Sequence, residues 1–66
     1  MYHEVTIIIP TFNEEGNIGN LLHSILTQYP KVNIIVADDG STDKTGDTVK
    51  KFSKKKVFLL DRSKSM

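Results

Sequence analysis

Cysteine and tryptophan are absent from this sequence of 66 residues, and its 9 lysine and arginine residues hardly outnumber its 8 aspartate and glutamate residues. Without cysteine, disulfides and thiolate metal sites are excluded, which is typical of a reducing compartment. A formal net charge of +1 is too small to indicate nucleic acid as a partner. No apolar run approaches the roughly 20 residues of a transmembrane helix, and the first residues show no signal-peptide pattern. We therefore expect one small cytoplasmic domain without a transmembrane segment.

Three short apolar runs predict the strands of a parallel sheet. They span residues 4–9, 32–37 and 56–60, and Pro10 closes the first. Continuous β-branched character in the first two indicates strands buried on both faces. With a helix between each pair of strands, the order is β-α-β-α-β, which is half of a doubly wound, mostly parallel sheet.

Two helices are predicted between these strands. Asn13 is a suitable N-cap for the first helix, with Glu14 and Glu15 at the positive end of its dipole. Ser41 or Thr42 is a suitable cap for the second. The apolar stripe of the first helix comprises Ile18, Leu21, Leu22, Ile25 and Leu26, and the second presents Thr45, Val49 and Phe52 on one face.

The first strand is predicted to lie at an edge of the sheet. In the usual doubly wound order it would be central, but no later strand follows here to cover its second side. An apolar edge of this kind pairs readily with another chain. We therefore expect either a piece of something longer or a homo-oligomer formed through this strand, with residues 1–61 as one βαβαβ unit and 62–66 as a polar tail that frays.

Polar loops follow the first two strands, at 10–16 ("PTFNEEG") and 37–43 ("ADDGSTD"). The carboxyl ends of parallel strands meet at one edge, where ligands of open α/β sheets bind. Carboxylates of Asp38 and Asp39 can accept hydrogen bonds from a base or ribose, and Phe12 can stack on a base. Neither a G-x-G-x-x-G nor a G-K-[ST] loop is present, so a phosphate cradle is not indicated. Ordinary turn and helix-capping chemistry is the alternative explanation of the acid pair.

These stretches resemble a known family. "VTIIIPTFNEEGNIGNLLHSI" followed by "IIVADDGSTDKTGDTV" is similar to the start of a family 2 glycosyltransferase of the GT-A, Rossmann-like fold. Within that family the sequence resembles dolichyl- or polyprenyl-phosphate sugar synthases. The resemblance covers nearly the whole chain and rests on the P-T-[YF]-N-E loop and the D-D-G-S-x-D turn together.

The resemblance implies a pocket for a nucleoside-diphosphate sugar, linked to UDP or GDP. Asp39 matches the aspartate that binds the base or ribose, whereas Asp38 matches a position that either contacts the nucleotide or serves the turn. Phe12 stands where the family often has tyrosine, so stacking is retained and a hydroxyl contact is lost. The implied nucleotide-binding positions are Pro10, Phe12, Glu14, Ala37 and Asp39. The implied supporting positions are Thr11, Asn13 and Asp38.

Catalytic and metal-binding residues are not predicted in this sequence. The resemblance implies Mg²⁺ or Mn²⁺ held by a later D-x-D motif, and a later catalytic base. Asp61 is followed by Arg62 and Ser63, so it makes no D-x-D. We expect the complete enzyme to transfer a sugar to an acceptor such as a lipid phosphate, with peripheral membrane contact as one possibility, and the isolated chain to be inactive.

Two other functions are alternatives to this one. The chain could be a non-enzymatic fragment that binds nucleotide or merely self-associates. It could also be a response-regulator receiver domain, whose acid pair resembles "IIVADDGS". A receiver needs a phospho-acceptor aspartate one or two strands later, and the only later acid at a strand end is Asp61, which disfavours that alternative.

Overall fold

The computed structural model describes residues 5–62, and the predicted β-α-β-α-β order is confirmed within them. The predicted start of the first strand, at residue 4, and tail residues 63–66 lie outside the described residues. No helix within 5–62 has the length and apolar character needed to cross a bilayer. The elements are β1 (Thr6–Thr11), α1 (Ile18–Gln28), β2 (Asn33–Asp38), α2 (Thr45–Lys50), a 3₁₀ turn (Ser53–Lys55) and β3 (Val57–Asp61).

The three strands form one parallel sheet in the order β1-β2-β3. β1 is therefore an edge strand, as predicted. Ile35 of β2 pairs with Ile8 of β1 on one side and with Phe58 of β3 on the other. Pro10 of β1 pairs with Ala37 of β2. The carboxyl ends of all three strands consequently reach the same edge of the sheet, which we call the carboxyl edge.

Both helices pack on one face of the sheet. Ile18 and Leu22 of α1 and Val49 of α2 share a single buried cluster with Ile34 and Val36 of β2. Each such side chain contributes about 1.5–3 kcal/mol when fully buried. The layer between the two helices and this face of the sheet is therefore the hydrophobic core.

The opposite face of the sheet is apolar and exposed, so the prediction of strands buried on both faces is wrong. Ile8, Phe58 and Leu60 are all exposed there. Both β-α-β connections are right-handed and both lead to the next strand on the same side, so their helices lie on the same face of the sheet. A second helical layer requires the strand order to reverse, which does not occur within residues 5–62.

The observed strand and helix ends correct several predicted boundaries. β1 continues through Pro10 to Thr11, which is compatible with proline because an edge strand needs only one row of ladder hydrogen bonds. α1 begins at Ile18, so Asn13 does not cap it and neither Glu14 nor Glu15 lies in its first turn. A turn precedes it, in which Ile18 N–H donates to the Glu14 carbonyl at 2.9 Å.

The start of α2 also differs from its prediction. The helix begins at Thr45, so Ser41 and Thr42 do not cap it. Instead, Asp43 accepts a hydrogen bond from Thr45 N–H at 2.9 Å and another from the Thr45 hydroxyl. Serine, threonine and aspartate side chains serve helix starts and turns equally well, so composition alone could not decide between them.

Candidate functional site

Asp38 ties the carboxyl end of β2 to its neighbours. Its side chain accepts hydrogen bonds from the Thr11 hydroxyl at 2.7 Å, from Ser41 N–H at 2.8 Å and from the Ser41 hydroxyl. The residue is only 6% exposed. Asp38 therefore holds the end of β1 and the turn after β2 together, and its carboxylate is occupied by the protein itself.

Two opposing effects set the pKa of Asp38. Burial raises the pKa of this carboxyl, but hydrogen bonds from the hydroxyls of Ser41 and Thr11 and from the backbone of Ser41 and Gly40 outweigh it. The pKa consequently lies below its ordinary value. Because these donors all stabilise the charged form, Asp38 is an anion at neutral pH.

Asn13 links the loop after β1 to the loop after β2. Its backbone is left-handed, with φ 53°, a conformation that asparagine adopts more readily than most residues. Its N–H donates to the Ser41 hydroxyl and its side-chain oxygen accepts from Thr42 N–H, each at 2.8 Å. Asn13 thus joins the two loops by a reciprocal pair of hydrogen bonds, and its supporting role at a nucleotide site stays a prediction.

The same reciprocal pattern continues beyond Asn13. Glu14 N–H donates to the Thr45 hydroxyl at 2.8 Å, and Glu15 N–H donates to Asp43 at 3.1 Å. In return, Lys44 N–H donates to the Glu15 carboxylate at 3.3 Å. The hydrogen bond from the Thr45 hydroxyl lowers the pKa of Asp43. Each loop therefore satisfies backbone donors of the other, which fixes the shape of the carboxyl edge.

Four of the five predicted nucleotide positions lie at the face of the sheet opposite the helices, although Ala37 itself is only 6% exposed. Pro10 and Ala37 are neighbours on that face, in register across β1 and β2. Phe12 and Asp39 follow two residues later, so side-chain alternation places them toward the same side. Phe12 is 58% exposed, and the Asp39 side chain is 56% exposed.

Glu14, the fifth predicted position, lies beside the outer edge of β1 and the start of α1. It is half-buried and contributes to a cavity of about 200 Å³. Pro10 and Thr11 line this cavity together with Ile18 and Leu21 of α1. Pro10 therefore connects Glu14 with the other three predicted positions.

Arg62 is a residue of this edge that the sequence interpretation assigned to the fraying tail. Its Nε lies 3.5 Å from the Asp39 carboxylate, and both side chains are more than half exposed. Its position in the sequence could have indicated this placement, because Arg62 directly follows β3 and the carboxyl ends of parallel strands meet at one edge of the sheet. An exposed ion pair of this kind is worth about 0–1 kcal/mol, so a ligand could displace it easily.

The described residues do not form a metal site by themselves. Within 5–62 no group of three or more histidine, aspartate or glutamate side chains is arranged to hold an ion. Asp38 is saturated by hydrogen bonds, which leaves Asp39 as the accessible member of the acid pair. The Mg²⁺ or Mn²⁺ expected for a complete enzyme remains a prediction.

Comparison with known proteins identifies relatives of this chain. The model of the family described as "Glycosyl transferase family 2" matches residues 6–65. A 4,4'-diaponeurosporenoate glycosyltransferase of Staphylococcus aureus strain RF122 is 45% identical over 60 residues, which cover 91% of this chain and 16% of that protein. The protein of the same name from strain USA300 is 47% identical over 57 residues, covering 86% of this chain and 15% of its own length.

The chain spans only 15–16% of the length of these curated relatives. They are named for diaponeurosporenoate and not for a polyprenyl phosphate, so the narrower resemblance to polyprenyl-phosphate sugar synthases stays a prediction. No solved structure matches the chain significantly.

Proposed function

This chain belongs to glycosyl transferase family 2, and from that membership we propose that it forms the donor-nucleotide part of a glycosyltransferase. The complete enzyme would move a sugar from a nucleoside-diphosphate sugar, linked to UDP or GDP, to an acceptor. One observation carries the proposal. The carboxyl edge presents an exposed aromatic ring, Phe12, and an exposed carboxylate, Asp39, on one side of a scaffold whose two loops are joined by hydrogen bonds.

Each of these residues has a role that its chemistry suits. Phe12 would stack on the base, and Asp39 would accept hydrogen bonds from base N–H or ribose hydroxyl groups. Pro10 and Ala37 would form the apolar wall beside them, and Glu14 would border the pocket along β1. When the nucleoside occupies Asp39, the guanidinium of Arg62 is released and can meet phosphate oxygens.

The remaining chemistry is proposed to come from other parts of the complete enzyme. A divalent cation there would offset the charge of the diphosphate leaving group while the acceptor attacks the sugar. The diaponeurosporenoate named in the relatives and a lipid phosphate are the two acceptor types we propose. We also propose a cytoplasmic location, with or without peripheral contact to a membrane.

The first experiment is a two-dimensional amide NMR titration of the chain with UDP and with GDP, each with and without Mg²⁺. Phe12→Ala is the test variant, and Phe58→Ala is its matched control because Phe58 is 56% exposed on the same sheet but far from the carboxyl edge. Loss of a stacking partner worth about 1–3 kcal/mol should raise Kd by roughly 5- to 150-fold. Phe58→Ala should leave Kd unchanged.

A second pair of variants tests the carboxylate. Asp39→Asn should weaken nucleotide binding, whereas Asp47→Asn, which removes an exposed acid from the first turn of α2, should not. Shifts that cluster at Phe12 and Asp39 for one nucleotide would support the proposal and identify the base. A folded spectrum that responds to neither nucleotide, with or without Mg²⁺, would refute nucleotide binding by this chain alone.

We propose, second, that the chain self-associates through β1. This is also the behaviour expected if the chain is a non-enzymatic fragment. Within residues 5–62, β1 offers an unpaired backbone edge next to an exposed apolar face, a combination that favours addition of a second copy. Light scattering should give at least a dimer mass for the chain and a monomer mass for Ile8→Lys. Tyr29→Lys, at an exposed aromatic residue directly after α1 and outside the lining of the cavity beside β1, is the control that should stay dimeric. A monomeric parent chain at high concentration would contradict the proposal.

A further inference from the structure

Charge is segregated between the two ends of the sheet. The acids of the described chain follow the carboxyl ends of the strands or lie in the first turn of α2, and they are Glu14, Glu15, Asp38, Asp39, Asp43, Asp47 and Asp61. Most of the cations lie toward the opposite end, at Lys31, Lys50, Lys51, Lys54, Lys55 and Lys56. The positive potential of that end therefore favours the binding of anions.

A cavity of about 390 Å³ opens among these lysines. It lies between the last turns of α1 and the connection from α2 to β3. Leu26, Pro30 and Phe52 give it an apolar wall, and the three consecutive lysines 54–56 give it a cationic rim. This volume falls in the range of small-molecule sites, in which apolar walls and a few polar groups combine. We call it the lysine cavity.

The lysines of this cavity have a fixed backbone, and no acid among the described residues forms an ion pair with them. Lys55 N–H donates to the Phe52 carbonyl, and the Lys56 carbonyl accepts from Ile34 N–H, both at 2.9 Å. Neither α1 nor residues 48–60 contain an aspartate or glutamate. Within 5–62, no ion pair involves lysines 54–56. Their charges are consequently available to a ligand.

We propose that the lysine cavity binds a phosphate group carried by an amphipathic molecule. The three ammonium groups would hold the phosphate, and the apolar wall formed with Phe52 would contact the part of the molecule next to it. A phospholipid head group and a soluble phosphate ester share this chemistry. The site lies at the end of the sheet opposite the candidate nucleotide site, so it stands independently of the proposed function.

The test compares two double variants with the same change in net charge. Lys54→Gln/Lys55→Gln removes two cations from the cavity, and Lys50→Gln/Lys51→Gln removes two exposed cations outside its lining. Each protein is titrated with glycerol phosphate, and each is sedimented with vesicles of phosphatidylglycerol and phosphatidylcholine in equal parts or of phosphatidylcholine alone. Amide shifts at His23, Thr27 and lysines 54–56 report occupation of the cavity. Dispersed spectra check that both variants remain folded.

The proposal expects the cavity variant to bind about thirtyfold more weakly and the control variant to change only slightly. Binding of vesicles that contain phosphatidylglycerol, without a response to glycerol phosphate, would identify a lipid head group as the source. A response to glycerol phosphate that shifts the cavity amides would identify a soluble ester. Equal weakening of both variants would overturn the proposal, because it would reveal diffuse attraction without a site. The proposal would also be overturned if glycerol phosphate shifted no cavity amide and vesicles that contain phosphatidylglycerol did not bind.

Discussion

Asp38→Asn should destabilise the fold even though it only replaces one carboxylate oxygen by an amide nitrogen. The carboxylate accepts hydrogen bonds from the Thr11 hydroxyl and from the N–H and hydroxyl groups of Ser41, in a residue that is 6% exposed. Hydrogen bonds to a charged group contribute about 1.5–3 kcal/mol and neutral ones about 1 kcal/mol. Asparagine can keep the shape but not the charge, so we expect a loss of about 2–3 kcal/mol in total.

A loss of that size is a large part of the stability of so short a chain. At about 0.05–0.15 kcal/mol per residue, 66 residues amount to roughly 3–10 kcal/mol. Urea unfolding followed by circular dichroism measures the difference directly. Asp39→Asn is the matched control, because this neighbouring carboxylate is exposed and should matter by no more than about 0.5 kcal/mol. Equal destabilisation by the two variants would refute the assignment of Asp38 as the structural member of the pair.

The same reasoning gives a pH dependence with a definite sign. The pKa of Asp38 is lower in the folded chain than the value of about 3.9 expected when it is unfolded. Its stabilisation is therefore complete above about pH 4 and is lost as the pH falls through the folded-state pKa. The difference in unfolding free energy between the parent chain and Asp38→Asn should shrink over that acidic range. A difference that stays constant down to the acid unfolding transition would contradict this account.

Two further substitutions test the core and the turn by urea unfolding. Leu22→Ala should cost about 2–5 kcal/mol, because the side chain is fully buried between α1 and the sheet, and a loss below 1 kcal/mol would indicate that the helix is loosely docked. Gly40→Ala should cost about 1–2 kcal/mol because φ is 91° there. Gly16→Ala is its control, since a Cβ at Gly16 meets open space and should be neutral or slightly stabilising.

The sequence by itself determined the elements, because their signals are local. Short β-branched runs and a helical stripe led to the three strands and two helices, with strand ends within two residues of those observed for β2 and β3. The two-loop motif also led to the family, which the match over residues 6–65 confirms. Periodicity and motif spacing are carried by neighbouring residues, so they can be recognised without knowing how the chain packs.

Only the tertiary structure decided which residues are used in which way. Asp38 and Asp39 are adjacent and chemically identical, yet one is buried under donors from β1 and the next turn while the other faces outward. The placement of both helices on one face, and of Arg62 beside Asp39, likewise depends on the order of the strands in the sheet. Burial and hydrogen bonding are summed over neighbours that are distant in sequence, here 27 residues apart for Thr11 and Asp38, and no local pattern records that sum.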